Sequence, residues 1–75
     1  MLTKPQLIKY VMSGFFDEVW KDCQRYGERI SRVDWIEESG YYEGANAWQQ
    51  FKRHGLIITI EIVRGEVRSI ETAPV

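Results

Sequence analysis

Residues 56–72, LIITIEIVRGEVRSIET, restrict the fold more than any other stretch of the chain. Two runs rich in β-branched residues flank Arg64-Gly65, which is the pattern of a β-hairpin. In the first run Ile58, Ile60 and Ile62 alternate with Ile57, Thr59, Glu61 and Val63, so one face is wholly apolar and the other mixed. The apolar face requires a cover. A two-residue type I′ turn needs φ above zero at both Arg64 and Gly65, which glycine tolerates and arginine does not. The expected connection is therefore a three-residue loop with Gly65 left-handed, opposing Ile58 to Ile70, Ile60 to Arg68 and Ile62 to Glu66. The competing two-residue register opposes Ile62 to Val67 and turns Ile70 away from the apolar face.

The cover is read from the other end of the chain. Thr3-Lys4-Pro5-Gln6 has the form of a capping box with proline in the first turn, so a helix starts there. Apolar residues follow at Leu7, Ile8, Val11, Met12, Phe15, Phe16, Val19, Trp20 and Cys23, and Gly27 is its stop. At about 100° per residue such a stripe sweeps about 220° between Leu7 and Trp20, more than one flat sheet covers. Either the helix breaks at Ser13-Gly14, or the part around Phe16 and Trp20 meets another element or another subunit.

Glu28 to Glu38 is read as a strand through the alternation of Val33 and Trp35, with a short helix capped at Ser31-Arg32-Val33-Asp34 as the alternative, and Ser39 to Gly44 as a loop with adjacent Tyr41 and Tyr42. Ala45 to His54 is read as a short helix with Ala47, Trp48 and Phe51 on one side, ended by Gly55 in a Schellman motif. Ala73-Pro74-Val75 is read as a free tail. The expected architecture is α+β in one domain, 1–75: a long N-terminal helix on an antiparallel sheet of about three strands, in the order α-β-α-β-β.

With 75 residues, a hydrophobic core alone is close to its lower limit of sufficiency, and self-association as a homodimer is expected. Three Trp, four Tyr and three Phe are more rings than so short a chain buries completely. A net charge of −1 gives no global attraction for nucleic acid or an anionic membrane. The single Cys23 excludes an intrachain disulfide and fits a reducing compartment; no apolar run approaches membrane-spanning length, and a cytoplasmic chain without a membrane partner is expected.

No catalytic constellation is recognisable. His54 has no second histidine for a metal and no nucleophile motif nearby, Cys23 continues the apolar stripe, and the acidic run lacks the ligand spacing of a calcium loop. No catalytic residue, metal or cofactor is assigned. The expected function is a small intracellular non-enzymatic protein-binding or regulatory module, acting through Phe16, Trp20, Tyr41, Tyr42, Glu37 and Glu38. The alternative is nucleic-acid binding by a local patch of Trp48, Lys52, Arg53, Arg64 and Arg68, gathered if the hairpin tip lies near the short helix.

Overall fold

The structure is a computed structural model that describes residues 1–35 and 46–75, with side chains described for 1–33 and 46–75. It is α+β, with two helices and four strands among the described residues: α1 (Lys4–Met12), α2 (Phe16–Tyr26), β1 (Glu28–Trp35), β2 (Asn46–Arg53), β3 (Leu56–Val63) and β4 (Glu66–Pro74). The strands form one antiparallel sheet in chain order, β1-β2-β3-β4. The predicted three strands are thus four, and the predicted loop at 39–44 lies outside the described residues.

The N-terminal capping box forms as read. Thr3 Oγ1 accepts from the Gln6 amide at 3.3 Å, and Gln6 Oε1 accepts from the Thr3 amide at 2.9 Å. The single long helix does not form. Gly14 adopts φ +80°, which ends α1 and lets α2 restart at Phe16 in a new phase. Two short helices thereby divide the over-wide stripe, and Leu7, Val19 and Cys23 are fully buried beneath them.

The segment read as a short helix is strand β2. Trp48, Gln50 and Lys52 fall on one side of it and Ala47, Gln49, Phe51 and Arg53 on the other, a period of two that Gly55 does not cap. His54 (φ 54°) and Gly55 (φ 73°) instead make a two-residue left-handed turn into β3, and Arg64 (φ 57°) and Gly65 (φ 73°) make another into β4. Arg64 therefore accepts the left-handed conformation that argued against it. Its amide donates to Asn46 Oδ1 at 3.1 Å, one contact that holds the turn.

The hairpin register follows from that turn and one irregularity. Ile62 faces Val67 next to the turn, but beyond a bulge Glu61 faces Ser69 and Ile60 faces Ile70. The extra residue in β4 keeps both Val67 and Ile70 on the apolar face, which neither regular register achieves. The tail is not free either: β4 runs to Pro74 opposite Leu56, and the Val75 amide donates to the Gly55 carbonyl at 3.1 Å.

The core lies between the helices and one face of the sheet. Leu7, Val19 and Cys23 meet Phe51, Leu56, Ile58, Ile60, Ile62 and Ile70, with Leu2, Tyr10, Val11, Phe16, Trp20 and Val67 packed around them. Trp20 stands edge-on to Phe51 with ring centroids 6.1 Å apart, and Tyr10 does so to Phe15 at 5.8 Å. Because β3 alternates, neighbouring truncations should differ sharply. Ile60→Ala, on the covered face, is expected to cost about 2–5 kcal/mol in urea unfolding, and Ile57→Ala, on the uncovered face, about 1 kcal/mol or less. Equal costs would mean that the sheet is covered on both faces.

Candidate functional site

Two groupings outside the apolar core collect polar side chains. The first joins the N-terminal segment, α2 and the β2–β3 turn. Asp22 is buried, and its Oδ2 accepts from Arg53 Nε at 2.9 Å while Oδ1 accepts from the Leu2 amide at 2.7 Å. Arg53 Nη2 also reaches Asp22 Oδ1 at 3.4 Å and the Leu2 carbonyl at 3.3 Å. His54 Nε2 donates to the same carbonyl at 2.7 Å. The Tyr26 ring lies 5.4 Å from the Arg53 guanidinium and 5.7 Å from that of Arg25.

Burial alone would raise the Asp22 carboxyl, but the hydrogen bonds from Arg53 and Leu2 and the positive charges of Arg53 and the N-terminal ammonium outweigh it and hold the group below its ordinary value. Burial, with the Asp22 charge adding to it, pushes the neighbouring Cys23 thiol up to about 12. A thiol so placed stays protonated and unreactive at neutral pH. This grouping clamps the Leu2 backbone to side chains of α2 and of the β2–β3 turn region. Among the described residues no set of His, Cys, Asp and Glu is arranged to hold a metal ion.

The second grouping is the face of the sheet turned away from the helices. In the register of the strands, Val33, Trp48, Glu61 and Ser69 form one row across it, and Ser31, Gln50, Thr59 and Glu71 the next. Hydrogen bonds tie the second row together: Ser31 Oγ to Gln50 Oε1 at 3.2 Å and Gln50 Nε2 to Thr59 Oγ1 at 3.1 Å. Trp48 is 38% exposed although it sits on an interior strand, Val33 is 59% exposed, and Ile57 is half-buried. Around them stand Glu61, Glu66 and Glu71; the one lysine on this face, Lys52, faces Glu28. The face thus presents an exposed Val33–Trp48 pair between a polar row and the buried Asn46 and Val63, and Glu61, Glu66 and Glu71 share it with Lys52 and, at the β3–β4 turn, with Arg64 and Arg68.

Those sequence-predicted site residues that the structure describes are dispersed. Phe16 and Trp20 are half-buried and pack against the core of their own chain. Glu37, Glu38, Tyr41 and Tyr42 lie outside the described residues. Trp48 and Lys52 share the open face, whereas Arg53 points to the covered side and pairs with Asp22. Arg64 and Arg68 lie by the β3–β4 turn, and Lys52 by the β2–β3 turn at the other end of β3, roughly 20 Å away at the rise of a strand. The basic residues therefore form no single patch. Val33, Ile57, Glu61, Glu66 and Glu71 carry the open face but were not picked out; the period-two pattern of residues 46–53 was the signal that identifies it.

Among known protein families, curated proteins and solved structures, none matches this chain. No helix among the described residues is long and apolar enough to cross a membrane.

The clamp gives a pH dependence of defined sign. Asp22 has its carboxyl depressed in the fold, so its stabilisation is complete above the unfolded value near 3.8 and is lost as pH falls through the lower folded value. Acid unfolding of the wild type should be steeper below that point than that of Asp22→Asn. At neutral pH Asp22→Ala should lower the unfolding free energy by roughly 3–5 kcal/mol, because the Arg53 guanidinium is left partnerless on that side. Parallel acid-unfolding curves for wild type and Asp22→Asn would show that the clamp contributes nothing.

Proposed function

We propose that the chain is a small non-enzymatic protein-binding module that self-associates, and that its working surface is the open face of the sheet. The observation that carries this reading is Trp48: a large ring on an interior strand, 38% exposed, with Val33 beside it and, among the described residues, no helix above it. A half-exposed aromatic paired with an exposed Val33 and bordered by polar side chains is the arrangement of a binding anchor. The acidic border selects the partner. Glu61 directly opposite Trp48, with Glu66 and Glu71 nearby, favours a basic amphipathic surface.

The same charges weigh against nucleic acid. A phosphate brought to Trp48 meets the Glu61 carboxylate, Lys52 is opposed by Glu28, and Arg53 is engaged by Asp22. Phe16 and Trp20 are partly buried against the core of their own chain, so we assign self-association to another surface.

Amide shifts recorded while the protein is titrated with a lysine–leucine amphipathic helical peptide, a glutamate–leucine peptide of equal length and a single-stranded oligonucleotide test the reading. The lysine–leucine peptide is expected to move Val33, Trp48, Ile57 and Glu61, more weakly as salt is raised. Trp48→Ala should weaken that binding by at least about 30-fold, the effect of a typical hot spot. Shifts produced on this face by the oligonucleotide instead, or none with the lysine–leucine peptide, would overturn it.

A further inference from the structure

We infer that the open sheet face receives the outer side of α1 from a second copy of this chain, so that copies join head to tail; this rests on the open-face reading above. The outer side of α1 is the one amphipathic surface on the described part of the molecule with the required chemistry. Counting about 100° per residue from Lys4, the order around the helix is Lys4, Ile8, Met12, Pro5 and Lys9, an arc whose middle lies about 130° from the buried Leu7. These residues line one shallow hollow, in which Ile8 is exposed and Met12 is 83% exposed. α1 contains two lysines and no acidic residue. It therefore offers a central apolar strip with a cation on either side.

Charge decides between the ways two copies can meet. Two open faces set against each other bring Glu61, Glu66 and Glu71 onto the same glutamates, and two α1 outer sides bring Lys4 and Lys9 onto lysines. The unlike pairing places Ile8 and Met12 on Trp48 and Val33, with the lysines reaching the surrounding carboxylates. Dimensions agree. A four-stranded sheet is roughly 19 Å wide, and a nine-residue helix is about 14 Å long and about 10 Å across, so the helix seats on the face with its flanks inside the acidic border.

Topology then sets the assembly. Leu7 of α1 faces the core on the covered side of the sheet, so the outer side of α1 turns away from the open face. A two-fold dimer cannot satisfy both, and the contact is heterologous, able to propagate from copy to copy. The notion of a closed homodimer gives way to an open chain of subunits.

Complementation tests this directly. Wild type is expected to show a weight-average mass that rises with concentration past twice its 8.9 kDa without levelling at the dimer, and that falls on adding salt. Ile8→Glu/Met12→Glu removes the donor surface, and Val33→Lys/Trp48→Lys the acceptor; each alone should remain monomeric with unchanged circular dichroism. Mixed, they should form a 1:1 complex that grows no further, because one supplies an intact sheet face and the other an intact α1. A wild type that stays monomeric at every concentration, or variants that fail to complement, would overturn the inference. If that happens while the lysine–leucine peptide still binds the open face, only the identity of the partner falls; if the peptide also fails, the functional reading falls with it.

Discussion

The alternation of β3 governs the rest of the fold. Leu56, Ile58, Ile60 and Ile62 point one way and Ile57, Thr59, Glu61 and Val63 the other, and because β3 is an interior strand its two sides set the two sides of the whole sheet. The fully apolar side has to be removed from water, and the helices above it do so with Leu7, Val19 and Cys23. The bulge in β4 serves the same requirement. Without it the chain would have to choose between Val67 and Ile70; with it both reach the core.

Much of this was legible where local chemistry has one solution. Thr3, Pro5 and Gln6 define a helix start through hydrogen bonds that need no tertiary partner, and a break at Ser13-Gly14 is one of the two outcomes open to a stripe too wide for one helix, although one long helix is the expected element. Glu28–Trp35 forms a strand within the stretch read as one. β2 was misread because Ala47, Gln49, Gln50 and Lys52 favour helices as isolated residues, while pairing with β1 and β3 on both sides decides their conformation. The error carried into the site: with residues 46–53 taken as helical, Trp48 was grouped with Ala47 and Phe51, which lie on the other side of the sheet.

The hairpin turns show a second limit. A left-handed arginine is disfavoured locally, and the sequence gives no warning that the Asn46 side chain, on another strand, accepts a hydrogen bond from the Arg64 amide. His54 is the parallel case, its ring anchored to the Leu2 carbonyl. Partners distant in sequence hold both residues in a conformation that neither prefers. The buried Asp22–Arg53 pair is of the same kind, since 31 positions separate its members and no spacing rule joins them.

The order of the strands has a kinetic meaning. Every ladder in the sheet joins strands that are consecutive along the chain, and two of the three are closed by turns of two residues, His54-Gly55 and Arg64-Gly65. Little chain entropy is lost in closing such loops, so β2, β3 and β4 can zip together from their turns before distant segments arrive. The Asp22–Arg53 clamp joins residues 31 positions apart, so the same loop-closure argument places it after the turns. Local turn closure thus favours nucleation in the C-terminal half, ahead of the docking of the N-terminal helices.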